Sequence, residues 1–383
     1  MTQLTIKTSV LKNVLEAVLP AVPNKPSRDI LKCVKFVTKQ GSPDSITLQV
    51  TDLERFVSYD IPCIVNNGSK QETNYMVSTE GVFAVPALVF GNYVKAIEDD
   101  QTTIHVTPQN TVKLFSGVIG TSTAEFEVGI MDIDDFPDFP STSAAQNWIS
   151  VDAETFRFGL ERVLFAVADR ANPKWGALSA VSLEIDKDNL CLIGTDQHRA
   201  SVATLKVPTA VPTKKALLVN STALEIVAKV FGDNIQISLD SANALILKSG
   251  PMTMFIRLVS GQFPPVRNFI PKHTNKLKLD ARSFLKNIKK VFLATDQFAA
   301  IKISLRKDKA ILLAKTKEEK KMAKVECQID NPGPDIDFTI NCKYLMELLK
   351  VGESFELSYN RNNQPLLFTA EGFEHVIVPQ ETR

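Results

Sequence analysis

A five-residue corner is written twice in this chain, as Thr51-Asp52-Leu53-Glu54-Arg55 and as Thr195-Asp196-Gln197-His198-Arg199, 144 residues apart. No other feature narrows the fold as much, because a sequence that repeats one supersecondary unit folds as copies of one module. The surroundings of the corners repeat too. A short strand at Leu4 and Ile6 precedes a helix carrying Val10, Leu11, Val14, Leu15 and Val18, spaced three and four apart as one buried face requires. Pro20, Pro23 and Pro26 break it. Strands over Leu31 to Val37 and Ile46 to Val50 then lead into the first corner.

The order recurs from Val151. A helix with Phe156, Leu160, Val163, Leu164 and Val167 is followed by strands at Leu178 to Ile185 and Leu190 to Ile193, then the second corner. A third copy opens on Leu277 and Leu279, has a helix with Phe284, Ile288, Val291 and Phe292, and continues in strands near Ala300 to Leu305 and Ala310 to Leu313. Each copy closes alike. Helices at Pro86 to Glu98, Ser221 to Phe231 and Asn341 to Lys350 each precede a hairpin and a last strand, at Ala124 to Val128, Thr253 to Leu258 and His375 to Val378. The predicted fold class is α+β: three tandem domains of two helices backed by antiparallel sheets, at about 1–145, 146–272 and 273–383. Three such units in series predict an arc with free strand edges, which a second copy would close head to tail.

Composition excludes more than it assigns. Charge balances at +1, from 44 basic and 43 acidic residues, which argues against holding nucleic acid by net charge. The charges are sorted along the chain instead. Glu125, Glu127, Asp132, Asp134, Asp135 and Asp138 run without a base, whereas Arg282, Lys286, Lys289 and Lys290 run without an acid. Apolar runs such as Ala84 to Phe90 fall short of the ~20 residues of a membrane helix. The alternation at Leu4 and Ile6 reads as a strand rather than a leader. Five scattered cysteines without a C-x-x-C pair fit reduced side chains in the cytoplasm, and neither metal nor cofactor is expected.

The motifs then point to a family. Gly194-Thr195-Asp196-Gln197-His198-Arg199 is similar to the Thr-Asp-Gly-His-Arg-Leu corner of the bacterial DNA polymerase III beta subunit, the sliding clamp. Ser260-Gly261-Gln262-Phe263-Pro264 with Pro271 resembles its Gly-x-Phe-Pro segment. Asn341-Cys342-Lys343-Tyr344-Leu345 resembles its Asn-x-x-Tyr-Leu helix start, and Val376-Ile377-Val378-Pro379 its hydrophobic C-terminal strand. The likeness spans essentially the whole chain. It implies a non-enzymatic homodimeric ring of six domains, with helices lining a central hole, opened and closed by an ATP-driven clamp loader. Double-stranded DNA would be held by topology, without sequence preference, and the ring would tether the polymerase. The expected location is the bacterial cytoplasm, at the nucleoid.

Two sets of residues follow from the resemblance. Lys12, Lys25, Arg28, Arg157, Arg162, Lys214, Lys215, Lys229, Arg282, Lys286, Lys289, Lys290 and Lys343 would face DNA, touching phosphate and carrying no sequence information. A partner-peptide pocket between the second and third domains would take in Trp175, Leu178, Thr195, Gln197, His198, Arg199, Pro264, Phe269, Asn341, Tyr344, Val376, Val378 and Pro379. Departures from the family pattern imply an altered pocket: Gln197 stands for a glycine, where positive φ would cost strain, Ala200 for a leucine, and Val378 and Gln380 for methionines. Lys315, Lys317, Lys320, Lys321 and Lys324 make one loop basic where many relatives are acidic. Two rival readings are an enzyme pairing Asp196 or Cys191 with His198, and a repeat-built protein scaffold that binds no DNA. The enzyme reading lacks a Gly-rich phosphate loop, zinc spacing or a nucleophile elbow.

Overall fold

The computed structural model describes residues 2–67, 70–116, 124–140, 148–169, 173–232, 234–238, 243–316 and 320–380. The chain opens with β1 (Gln3–Lys7), α1 (Thr8–Val18), β2 (Cys33–Lys39), β3 (Ser45–Thr51), β4 (Arg55–Ile61), β5 (Ile64–Asn67), β6 (Lys70–Thr73), β7 (Tyr75–Thr79) and β8 (Gly81–Pro86). α2 (Ala87–Ala96), β9 (Gln101–Val106), β10 (Thr111–Ser116) and β11 (Ala124–Gly129) complete the first copy. The second has β12 (Trp148–Asp152), α3 (Ala153–Leu164), β13 (Ala180–Thr195), β14 (Arg199–Asn220), α4 (Ser221–Val230), β15 (Asn234–Ser238), β16 (Ala244–Ser249) and β17 (Met252–Arg257). The third has β18 (Asn275–Asp280), α5 (Ala281–Phe292), β19 (Ala300–Leu305), β20 (Lys309–Lys315), β21 (Met322–Gln328) and β22 (Ile336–Asn341). It ends with α6 (Cys342–Leu348), β23 (Ser354–Tyr359), β24 (Leu366–Ala370) and β25 (Phe373–Ile377).

Two compact units divide the chain: residues 1–153 with 226–257, and residues 154–225 with 258–383. The middle copy therefore contributes to both. In the first unit one sheet runs β11-β10-β9-β1-β7 and another β12-β15-β16-β17-β4-β3-β2-β8. α1 turns Leu11, Val14, Leu15 and Val18 inward, and Phe36 stacks on Phe83 with ring centroids 4.9 Å apart. Burying each such side chain stabilises by about 1.5–3 kcal/mol.

In the second unit the sheets run β13-β14-β25-β24-β23-β18 and β21-β20-β19-β22. α3 lies so close over β13 that a Cβ on Gly194 would sit 2.5 Å from the Val163 carbonyl oxygen, so glycine is required there. α5 buries Ala281, Phe284, Ile288 and Val291, and the Asp280 carboxylate caps it by accepting from the Ser283 N–H at 2.6 Å.

The strand pairing follows one rule. The last strand of the second copy, β17, pairs antiparallel with the post-corner strand of the first, β4, and Phe255 faces Phe56. The last strand of the third copy, β25, pairs antiparallel with the post-corner strand of the second, β14, and Val376 faces Ala200. The third copy lacks the five-residue corner. Its β20–β21 ladder closes on Lys315 opposite Met322, a connection two residues longer than Thr51 to Phe56 or Thr195 to Ala200. The last strand of the first copy, β11, and the post-corner strand of the third, β21, each lie at the edge of a sheet.

Candidate partner and nucleic-acid surfaces

Both Thr-Asp corners fold the same way, which explains why the residues repeat. Thr51 Oγ1 donates to the Arg55 carbonyl at 2.8 Å, and Thr195 Oγ1 to the Arg199 carbonyl at 2.7 Å. Asp52 Oδ1 accepts the N–H groups of Glu54 and Arg55; Asp196 Oδ1 accepts those of His198 and Arg199, both at 3.0 Å. The carboxylate thus satisfies the turn's own backbone donors. The third residue takes positive φ in both corners, 76° at Leu53 and 75° at Gln197.

Arg199 turns the second corner into a clasp. Its Nε donates to Asp196 Oδ2 at 3.0 Å, its Nη1 to Glu347 of α6 and its Nη2 to the Phe165 carbonyl. Its guanidinium lies 4.2 Å from the Tyr344 ring centroid. Burial, then the Asp196 charge, pushes the Tyr344 phenol above its usual pKa, so it stays a neutral hydroxyl. At 7% exposed, Arg199 props the wall of the site and does not present a free cation. Thr195 is likewise buried with its hydroxyl spent on the turn. Both were expected as partner contacts; the structure shows them buried, with their polar groups bonded within the chain.

His198 and Tyr344 open on a cavity of about 600 Å³, together with Asn341, Val378 and Pro379 among the expected residues. The Val378 N–H donates to the His198 carbonyl at 2.9 Å and the Gln380 N–H to the Thr339 carbonyl at 2.7 Å, so the C-terminal segment is stitched along one wall. Asn341 supports the site indirectly, capping α6 by accepting from the Lys343 N–H at 2.9 Å. Asp296, Phe298, Ala300, Lys302, Leu313, Lys315, Thr339 and Gln380 complete the lining. The motifs did not reveal most of these. Phe298, an aromatic left 55% exposed just after α5, was the signal available. Lys302 is held by Asp337 at 2.8 Å, which with Arg306 keeps that carboxyl down at about 2.

The remaining expected residues lie elsewhere. Leu178 and Val376 are core side chains. Val376 belongs to the sheet face of Ala200 and Val202, where Phe263, Val266 and Ile270 pack. Pro264 and Phe269 flank that cluster in sequence, and Phe269 is 67% exposed. Gln197 is exposed at the tip of the corner. The side chains of Trp175, Lys214 and Lys215 lie outside the described residues, as does Lys317 of the basic loop. The acid–base pair of the enzyme reading is not assembled: Asp196 is consumed by the turn and Arg199, and the Cys191 thiol contacts Thr204 Oγ1 at 3.6 Å.

The expected DNA-facing residues also sort by environment. Arg282, Lys286, Lys289 and Lys290 share the exposed face of α5, and Lys343 is exposed on the neighbouring α6. Lys229 is exposed in the last turn of α4, and Arg157 is half-buried on α3. Lys12 leans its ammonium on the Ile97 carbonyl. Lys25 and Arg28 are exposed but sit in the segment after α1, not on a helix. Arg162 lies in a different environment from the others. It is 8% exposed, stacked 3.7 Å from the Phe158 ring centroid and bonded through Nη1 to the Glu371 carbonyl at 3.0 Å, so packing uses the charge.

The fold is a DNA-clamp fold: three tandem clamp domains, mixed α and β, with antiparallel sheets. Residues 2–140, 150–265 and 267–381 match, in turn, the N-terminal, central and C-terminal domains of the DNA polymerase III beta subunit. The beta sliding clamp of Staphylococcus aureus is 23% identical over 385 residues, covering 98% of this chain and 97% of that protein. That of Bacillus subtilis is 21% identical over 381 residues, covering 97% of each. The solved sliding clamp from Bacillus subtilis superposes with a TM-score of 0.89 at 20% identity, covering 100% of both chains. The DNA polymerase III beta subunit from Thermotoga maritima gives 0.87 at 20% identity, again covering 100% of both. This chain belongs to the DNA polymerase III beta subunit family, the beta sliding clamps.

Proposed function

We propose that the protein works as a sliding clamp without catalysis of its own: two copies close head to tail around duplex DNA, and the ring tethers the replicative polymerase and other DNA-processing proteins. The pairing rule carries this reading. Each copy of the module adds its last strand to the post-corner strand of the copy before it. A chain of three copies then keeps one strand of each kind, β11 and β21, with an open edge among the described residues, and a twin chain offers the complement of both. The three domains are assigned to about 1–145, 146–272 and 273–383, and the working place to the cytoplasm at the nucleoid, with an ATP-driven loader opening the ring.

The cavity beside His198, Tyr344 and Val378, with the neighbouring apolar cluster of Phe263 and Ile270, is assigned to partner peptides. It sets the exposed apolar side chains of Phe298 and Val378 among hydrogen-bonding and charged groups such as His198, Asn341 and Lys302, which suits recognition of a peptide with apolar anchors. The exposed basic face of α5 is assigned to the DNA side, where diffuse phosphate attraction permits sliding. Loading onto nicked circular DNA tests the whole reading: protein retained on circles should escape once they are linearised. Equal loss from both would mark an ordinary DNA binder, and no retention on either a protein-only scaffold.

A further inference from the structure

We infer that the two unpaired edges select each other by charge, with Glu125 of one copy facing Lys324 of its twin; the inference rests on the head-to-tail reading above. The register comes from the module itself. Phe56 and Ala200 occupy the first ladder position after their corners, and Met322 holds that position in the third copy. On the other strand, the Met131 N–H donates to the Ala84 carbonyl as the Val259 N–H donates to the Leu218 carbonyl. Ala84 and Leu218 are themselves equivalent, each two residues before the partner of the strand start, Pro86 opposite Cys33 and Asn220 opposite Ala180. Met131 therefore corresponds to Val259, and Glu127 to Phe255. Since Phe255 faces Phe56, Glu127 is set opposite Met322, Phe126 opposite Ala323 and Glu125 opposite Lys324.

The exposure pattern agrees with this register. Glu125, Glu127, Met322 and Lys324 are exposed on one face of their strands, while Phe126, Val128, Ala323 and Val325 are half-buried on the other. Within each copy the charges already alternate. Lys113 bridges Glu125 at 2.6 Å and Glu127 at 3.5 Å, and Glu326 is held by Lys324 at 2.8 Å and Lys309 at 3.0 Å. Joining the edges makes one ladder, Lys309–Glu326–Lys324–Glu125–Lys113–Glu127. Beyond the strands, Asp132, Asp134, Asp135 and Asp138 are exposed on the acidic side, and Lys315 and Lys320 on the basic side. Two β11 edges offered to each other would bring Glu125 and Glu127 against like charges, and the two-residue slip that moves Glu127 onto Lys324 sets Glu125 against Glu326, which is how charged strands reject unintended partners.

The test uses the full chain and a charge swap. Lys324→Glu and Glu125→Lys, made separately, should each raise the dimer dissociation constant by about tenfold or more, because every homodimer then holds two like-charge contacts. Mixed in equal amounts, they should regain a wild-type-like dimer: one interface carries the reversed pair and the other the original. Sedimentation of singles and mixture at low salt reads the effect, and rescue in the mixture proves both variants folded. Singles that dimerise like wild type, or a mixture no better than the singles, overturn the pairing. Retention of the wild-type protein on circular DNA is scored separately, so the charge pairing can fail while the clamp reading stands.

Discussion

His375 is the residue whose chemistry departs furthest from its free behaviour. It lies wholly buried, 5.3 Å from the Phe165 ring centroid and 6.2 Å from that of Phe373. Its Nδ1 is 2.7 Å from Ser201 Oγ on the paired strand, and its Nε2 has no partner among the described residues. Burial first, and the Arg199 charge second, hold its pKa down at about 3 against the usual 6.5. Between those values the unfolded chain binds a proton that the folded chain refuses. Stability is therefore complete above pH 6.5 and declines as the pH falls toward 3, by roughly 1.4 kcal/mol per unit once well below 6.5. His375→Phe keeps the ring, forfeits about 0.5–1.5 kcal/mol for the hydroxyl contact and removes the titration. Urea unfolding at pH 7.5 and pH 5 should show a smaller drop for the variant, and equal drops would discard this account. The sequence marked His375 only as part of a C-terminal strand; its burial arises from Phe165 and Ser201, far away in the chain.

At the scale of elements, the corner shows what a sequence reveals and what it hides. The repeated Thr-Asp-x-x-Arg named the turn because every bond that builds it is local, from Thr195 to the Arg199 carbonyl and to Asp196 from the His198 and Arg199 N–H groups. Helices α1 and α5 were equally legible, since periodicity alone decides which face is buried. The burial of Arg199 was not legible because its partner Glu347 lies 148 residues on, nor that of Arg162, because a helix sequence does not disclose that Phe158 and Glu371 enclose it. The cavity wall was hidden for the same reason, as Phe298, Leu313 and Thr339 come from three separate stretches. Gln197 allows a sharp test. At φ 75° a side chain is strained, so Gln197→Gly should stabilise by about 1 kcal/mol. His198→Gly, which relieves no positive φ, should not. Melting curves of the two variants give the comparison, and equal shifts would show that the corner stores no strain.

Over the whole molecule, the balance of 44 bases against 43 acids conceals a division of labour. Acids gather on β11 and the segment after it, and bases on α5 and around β21. In the proposed ring these surfaces have different tasks, and salt separates them. Phosphate contacts on α5 release counterions, so each one lost should lower the salt slope of binding to short linear duplex by about 0.9. Lys286→Glu with Lys289→Glu should therefore weaken that binding steeply at low salt. The same double variant should stay on nicked circles nearly as long as wild type, because escape from a circle requires an interface to open, and the lysines are not part of one. Lys324→Glu should do the reverse, leaving linear binding near normal while shortening residence on circles. Dwell times on the two substrates, measured across a salt series, keep the two effects apart. If reversing the α5 charges shortens residence on circles as much as on linear duplex, DNA is held by those lysines and not by closure.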